Sequence, residues 1–195
     1  LKAFESRLYL LKLPRAIKKA GEMIAKVARR PLKLPLIFVT GEFFANLAHN
    51  DGNYNLRRFI MDEGAEVIPG LFTQRILYDN WRRTQEALRG IEYCEDPVER
   101  KMYKKSLRKQ KTSNFAIHFF WKLYLKAFRP ECFGANPHLL DNDELAALGF
   151  EHYHPEIFGG EGNLEIAEAI HYADIVDGII SSKPFGCMPS SGVSD

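Results

Sequence analysis

The sequence predicts an α/β fold, with a parallel sheet flanked by helices, because strand and helix patterns alternate along the chain. Residues 36–40 form a compact apolar run that ends at Gly41, and such a run is typical of a buried strand. A helical pattern follows over 54–63, and the apolar segment 65–68 predicts a second strand. Strand, helix and strand in this order form a right-handed unit in which the two strands are parallel.

The same rhythm returns near the end of the chain, where a helix is predicted over 164–173 and a strand over 178–182. Between the two stretches, residues 73–130 follow helical spacing. They predict an insertion of helices with breaks near Gly90 and near Pro97. We therefore expect a sheet of about four strands with a helical insertion.

We expect two parts along the chain, an N-terminal helical segment over 1–33 and an α/β domain over 34–195 that holds the insertion. The N-terminal segment is basic, with Glu5 and Glu22 as its acidic residues. Such a charge pattern is typical of a solvated helix face or of a face that docks on another domain. Pro14 is expected to break or kink this helix near its middle. Because the chain starts with Leu and stops within a motif, we expect a piece of a larger protein.

Composition and charge restrict the class of partner. The chain has 195 residues, 46% of them hydrophobic and 27% charged, with a formal net charge of +2. So small a charge argues against nucleic acid as a partner, and no apolar run is long enough for a membrane span. Cys94, Cys132 and Cys187 show no paired spacing, which favours a reducing, cytoplasmic location over a disulfide framework. We expect Cys94 and Cys132 to be structural.

An aromatic-rich stretch lies within the predicted insertion. Phe, Trp and Tyr recur at helical spacing over 115–128. This pattern favours packing in the core or at an interface over stacking on RNA bases.

The strongest single candidate for chemistry is Cys187, which lies just past the predicted strand 178–182. Open α/β sheets bind ligands beyond the carboxyl ends of their strands. Gly186 leaves space beside the sulfur, and Pro184 and Pro189 restrict the loop. A thiolate binds iron or zinc or acts as a nucleophile, whereas an isolated buried cysteine is more often a small apolar residue.

A second candidate is the glycine loop 159–163, which precedes the helix predicted at 164–173. Glycines let a backbone approach a ligand closely, and the free N–H groups of a helix start attract anions. Gly160, Glu161 and Gly162 are therefore candidate cofactor-binding residues for a phosphate or a carboxylate. The alternative is a plain turn and helix start, since the spacing is not the dinucleotide fingerprint.

Two further groups carry weaker signals. Glu42 follows the first predicted strand, where it is a candidate cofactor-binding or acid–base residue; the alternative is a helix cap or a charge that neutralises a nearby positive backbone end. His152, His154 and Glu156 bring two imidazoles and a carboxylate together. Two ligands without a third at suitable spacing are poor evidence for a metal, so the signal for a metal here is weak.

Several segments together resemble a known family. They are Gly-Glu-Gly at 160–162 with its helix, Asp-Gly-Ile-Ile at 177–180 and Lys-Pro-Phe-Gly-Cys-Met-Pro at 183–189. They resemble the dehydratase-like region of large proteins related to the activator of 2-hydroxyacyl-CoA dehydratase. The relatives of these proteins include the dehydratase subunits themselves and the benzoyl-CoA reductase subunits. The resemblance covers most of 30–195, and the Pro-Phe-Gly-Cys segment at 184–187 is its specific part.

This resemblance implies flavodoxin-like domains that hold an iron–sulfur cluster, of the 4Fe–4S type, between them, with Cys187 as one cluster ligand. It implies three kinds of partner: other domains of the parent chain, an ATP-hydrolysing activator that drives low-potential electron transfer, and an acyl-CoA substrate that loses water. No catalytic residue is assigned. Two alternatives stay open, a docking or structural domain with an unmetallated Cys187, and a module that binds a small anion or coenzyme A at 159–163.

Overall fold

The computed structural model describes residues 2–27, 32–48, 50–133, 135, 137–157 and 160–193. Gly159, in the predicted glycine loop, lies outside the described residues. The chain divides into two compact units. The first unit comprises Leu1–Pro31 and Lys111–His138, and the second comprises Leu32–Gln110 and Leu139–Asp195.

The second unit is built on a parallel sheet. Its described residues form three strands, Leu36–Gly41 (β1), Glu66–Pro69 (β2) and Gly178–Ser182 (β3). The strand order is β2-β1-β3, so β1 is central and its last four residues are buried. All pairs are parallel. The mixed α/β fold and the three predicted strands are confirmed, and the described sheet has one strand fewer than expected.

The helices account for most of the described chain. In chain order they are Lys2–Ala25 (α1), Phe43–Leu47 (α2), Leu56–Asp62 (α3), Phe72–Tyr93 (α4), Pro97–Phe128 (α5), Asn142–Gly149 (α6), Gly162–Tyr172 (α7) and Met188–Val193 (α8). Helix α5 begins in the second unit and passes into the first after Gln110. Across the described residues, every helix is too short or too polar to traverse a bilayer.

The core of the second unit lies among α4, α6 and α7. Its buried apolar side chains are those of Tyr78, Trp81, Leu145, Ala146, Leu164 and Ala167. Buried Gln74 on α4 exchanges two hydrogen bonds with the backbone of Leu140, at 3.2 and 2.9 Å. The indole N–H of Trp81 donates to Asp143 at 2.7 Å. These bonds satisfy buried polar groups and fix α6 against α4.

The two ends of the β1–β3 pair are locked. Gly41 ends β1 with a φ of +118°, and a Cβ there would lie 2.1 Å from the carbonyl oxygen of Ser182. Only glycine therefore permits this approach. At the other end, the Leu36 N–H donates to the Asp177 carboxylate at 2.8 Å. The carboxyl ends of β1 and β3 consequently stand level, where the sequence placed the candidate site.

The first unit contains α1, the part of α5 from Lys111 onward, and a 3-10 turn at Pro130–Phe133. A Cβ at Gly21 would lie 2.0 Å from the carbonyl oxygen of Phe128, so α1 passes close to the end of α5. Helix α1 continues through Pro14. A break at Pro14 is therefore wrong, because a proline removes one hydrogen bond and a helix can continue on either side of the gap, while the alternative of a kink stays a prediction.

The structure corrects part of the prediction for the helical insertion, both in its helix breaks and in its aromatic stretch. Helix α4 continues through Gly90, where a Cβ would lie 2.5 Å from the Tyr103 ring. This glycine makes room for an aromatic ring of α5 instead of ending α4, so the break near Gly90 is wrong and that near Pro97 is confirmed. None of the aromatic side chains of 115–128 is fully buried, and Phe115, Phe119 and Phe120 are exposed, so the predicted packing in the core is wrong. Their role at an interface stays a prediction.

Candidate functional site

The candidate site lies where the carboxyl ends of β1 and β3 meet the start of α7. The chain passes from β1 to β2 on one side and then to β3 on the other. Open parallel sheets bind ligands at such a switch of direction. Helix α7 packs on β1 and on α8, so the loop that follows β3 is held beside the first turns of α7.

Cys187 stands in this loop, immediately before α8. Gly186 has a φ of +89°, a conformation that favours glycine, and it turns the chain ahead of the cysteine. The thiol is half-buried, while the neighbouring side chains of Phe185 and Met188 are exposed. The sulfur therefore lies at an open edge of the second unit and is not enclosed by hydrocarbon.

A hydrogen-bonded chain links this thiol to a buried carboxylate. The Cys187 Sγ donates to Ser190 Oγ at 3.2 Å, and the Ser190 hydroxyl donates to Glu165 Oε1. Ser190 is 1% and Glu165 4% exposed. Burial raises the pKa of Glu165, while the hydrogen bond from Ser190 opposes that rise. This arrangement offers the thiol proton a path to a carboxylate.

The two glycines of the predicted binding loop make room for α8. Gly160 has a φ of +71°, and a Cβ there would lie 2.5 Å from Pro189 Cγ. A Cβ at Gly162 would lie 2.8 Å from the Tyr153 ring and 3.2 Å from the carbonyl oxygen of Pro189. Both positions are therefore small because the Cys187 segment packs on them. The binding role of these glycines stays a prediction.

One face of α7 is acidic although it is buried. Glu161, Glu165 and Glu168 are spaced by four and three residues, which places them on the same side of the helix. Arg75 of α4 pairs with Glu161 at 2.9 Å and also with Asp79 at 2.8 Å. One guanidinium is thus shared between two carboxylates, Glu161 and Asp79, and the charge on this face is incompletely balanced.

The pKa values of these carboxyls express that imbalance. Burial is the main cause that raises the pKa of Glu168 to about 8; the charges of Glu165 and Glu161 contribute to this rise, and Arg75 opposes it. Burial also raises the pKa of Glu161, again against the effect of Arg75. Glu168 therefore holds its proton at neutral pH in the protein as folded.

Glu42 caps α2. Its Oε2 accepts a hydrogen bond from the Ala45 N–H at 2.9 Å, and its own N–H donates to the Ser182 carbonyl at 2.9 Å. This is the capping alternative of the sequence analysis. Burial is the main cause of the raised pKa values of Glu161 and Glu165, and the negative charge of Glu42 adds to it.

The remaining candidates do not form a metal centre. The described residues contain no group of three or more His, Cys, Asp or Glu side chains that could hold a metal ion. His154 Nδ1 accepts from the Glu156 N–H at 3.2 Å, and Glu156 pairs with Arg89. The segment around His152 and His154 is consistent with a structural role.

Sequence reasoning missed the partners of Cys187 and the buried carboxylates. Ser190 lies three residues after the cysteine, and nothing in its local sequence marks it as buried. The spacing of Glu161, Glu165 and Glu168 was a usable signal, because three acids on one face of a helix rich in apolar residues are unusual.

Comparison of the chain with protein-family models, curated proteins and solved structures gives no match. The family resemblance carried by 160–162 and 183–189 therefore remains a prediction that rests on those residues.

Replacement of Glu168 by Gln should change how stability depends on pH. The folded pKa is about 8 against an ordinary value of 4.5. The folded state therefore binds more protons than the unfolded state between these values, so wild-type stability falls as pH rises through this window. We expect Glu168→Gln to exceed the wild type by at least about 1 kcal/mol in free energy of unfolding at pH 8.

Urea unfolding from pH 5 to pH 8 measures this effect, with tetramethylammonium chloride as the salt to keep small cations from the carboxylates. Glu151→Gln, at an exposed position, is the control and should follow the wild type. Parallel pH profiles of wild type and Glu168→Gln would contradict the shifted carboxyl.

Replacement of Gly160 by Ala should destabilise the protein more than replacement of Gly64 by Ala. Both glycines have positive φ, which costs an alanine about 1–2 kcal/mol. At Gly64 no atom lies within 4 Å of the added Cβ, whereas at Gly160 the Cβ meets Pro189. We expect a further loss of about 1–3 kcal/mol for Gly160→Ala, measured by urea unfolding. Equal losses for the two variants would show that α8 does not pack here.

Proposed function

We propose that this chain is an electron-transfer domain of a 2-hydroxyacyl-CoA dehydratase-related protein, in which Cys187 supplies one thiolate ligand to an iron–sulfur cluster. The order β2-β1-β3 is consistent with a flavodoxin-like sheet. An ATP-hydrolysing activator and an acyl-CoA are the partners that this proposal requires.

The placement of Cys187 carries the proposal. Its sulfur lies beyond the carboxyl end of β3, half-buried, at an edge where Phe185 and Met188 are exposed. A thiol that joins two domains through a shared cluster needs this combination of a fixed loop and an open side. A cysteine that served only as packing would be enclosed by apolar side chains.

The described residues supply one ligand of a cluster site and not the full set of ligands. A 4Fe–4S cluster takes about four thiolates, and among the described residues neither Cys94 nor Cys132 joins Cys187 in a group that could hold a metal. The other ligands therefore come from a second domain or subunit in this proposal. When bound, the cluster supplies low-potential electrons.

Ser190 and Glu165 support the same role from inside the domain. A cysteine must lose its proton to become a ligand. The Cys187 proton can pass to Ser190 Oγ while the Ser190 proton passes to Glu165, which leaves a thiolate that accepts a hydrogen bond from Ser190. Ser190 then orients the sulfur.

The two alternatives make different demands on the site. A docking domain would use the exposed Phe185 and Met188 without metal at Cys187. A phosphate or coenzyme A at the start of α7 would have to approach the carboxylates of Glu161 and Glu165, which repel an anion. The charge on this face therefore favours the first alternative over the second.

Iron and acid-labile sulfide in the anaerobically purified natural protein, together with its dehydratase partner, test the proposal. We expect Cys187→Ala to lose most of the iron, because an incomplete ligand set holds a cluster weakly. Cys132→Ala, at an exposed position in the first unit, is the matched control and should keep it.

Equal iron in the wild type and Cys187→Ala would exclude Cys187 as a ligand. Absence of iron from every preparation would favour the docking domain.

A further inference from the structure

A small cavity in the second unit lies beside the proposed cluster ligand but does not include it. It is lined by the acidic face of α7 together with Asn46, Gly70 and Arg75, and its volume is about 30 Å³. A cavity of this volume holds one or two particles of the size of a water molecule. The ends of β1 and β2 form its opposite wall through Gly41 and Gly70.

The charge in the cavity wall is negative. Glu161, Glu165 and Glu168 all line the cavity, against the single guanidinium of Arg75. That guanidinium is already paired with Glu161 and with Asp79. Buried carboxylates are stable as anions only when a cation or several hydrogen-bond donors face them. Among the described residues that line the cavity Arg75 is the one cation; Lys183, which does not line it, also lowers the pKa of Glu165.

Two buried acceptor atoms in the same wall lack partners. Within the described part of the chain, no hydrogen bond reaches Glu165 Oε2 or Asn46 Oδ1. Glu165 is 4% and Asn46 7% exposed, so bulk solvent does not satisfy them. Asn46 is not part of the acidic face, and its amide is an independent indication that a donor or a cation belongs between these groups.

We propose that this cavity binds a water-sized monovalent cation, held by Glu165, Glu168 and the amide oxygen of Asn46. Ammonium donates four hydrogen bonds and potassium has a similar size, so both fit the same acceptors. A divalent cation demands short and regular distances to its oxygen ligands, and the described residues contain no acidic group arranged in that way.

Water is the competing occupant, because Arg75 Nε is also buried without a partner and a water molecule could accept from it. A water molecule would satisfy the hydrogen bonds but leave the charge unbalanced. Burial raises the pKa of Glu168 to about 8, so a proton on Glu168 can balance the charge when no cation is bound. A bound cation and a proton on Glu168 are therefore alternatives, which an experiment separates.

Thermal unfolding of the whole chain at pH 8 tests the proposal. Ammonium or potassium chloride replaces tetramethylammonium chloride at constant ionic strength, so that only the size of the cation changes. We expect Tm to rise by about 3–5 °C for each tenfold increase in cation concentration above its Kd. The ion that gives the larger rise is the ligand of the cavity.

Two variants connect the response to the cavity. Glu168→Gln keeps the shape of the protonated side chain and should lose the cation response. Gly70→Ala places a Cβ 2.7 Å from the Asn46 amide nitrogen and should also lose the cation response. This variant serves as the test if Glu168→Gln does not fold. Glu151→Gln is the exposed control and should respond as the wild type does.

A Tm that is the same in all three chloride salts would overturn the proposal and assign the cavity to water. A rise in Tm with magnesium chloride but with neither ammonium nor potassium chloride would overturn it as well. So would a rise in Tm with a monovalent cation that survives in both Glu168→Gln and Gly70→Ala. None of these results depends on whether Cys187 carries a cluster.

Discussion

The candidate site depends on one close approach, that of Pro189 to the backbone at the start of α7. Gly160 and Gly162 carry no side chain, and α8 occupies the space that one would fill. This approach brings Ser190 onto Glu165, and the first turn of α8 places Cys187 beside Ser190. The thiol is thus positioned by packing and by two hydrogen bonds, although it stands at the edge of the unit.

Glu165 connects the two features that we propose. One of its carboxylate oxygens accepts from Ser190, and the other belongs to the cavity wall without a partner. A charge placed in the cavity therefore acts directly on the carboxylate at the end of the thiol's hydrogen-bonded chain. The low polarity of the surroundings strengthens this interaction, since buried charges are poorly screened. Control of the sulfur from within the domain is a natural consequence of this geometry.

The sequence predicted the elements that local patterns determine. Apolar runs bounded by Gly41 and by Pro69 gave the strands, and the rule for open sheets placed Cys187 at the carboxyl edge. Prediction from the sequence failed where a partner distant along the chain determines the role of a residue. Gly90 makes room for the ring of Tyr103, and Gly160 and Gly162 accommodate α8. The role of each glycine depends on its packing partner, which local spacing does not reveal. Ser190 and Glu168 become buried only when α7 packs against the rest of the unit, so their burial depends on partners that are distant along the chain.

Alkylation of Cys187 by iodoacetamide under native conditions, followed by mass spectrometry, tests the central claim most directly. Cys132 is exposed and serves as the internal reference. We expect Cys187 to react within about tenfold of the rate of Cys132. We also expect Ser190→Ala to slow the reaction of Cys187 alone, because the thiolate loses the hydrogen bond that Ser190 donates to it. Protection of Cys187 until the whole chain unfolds would contradict the account.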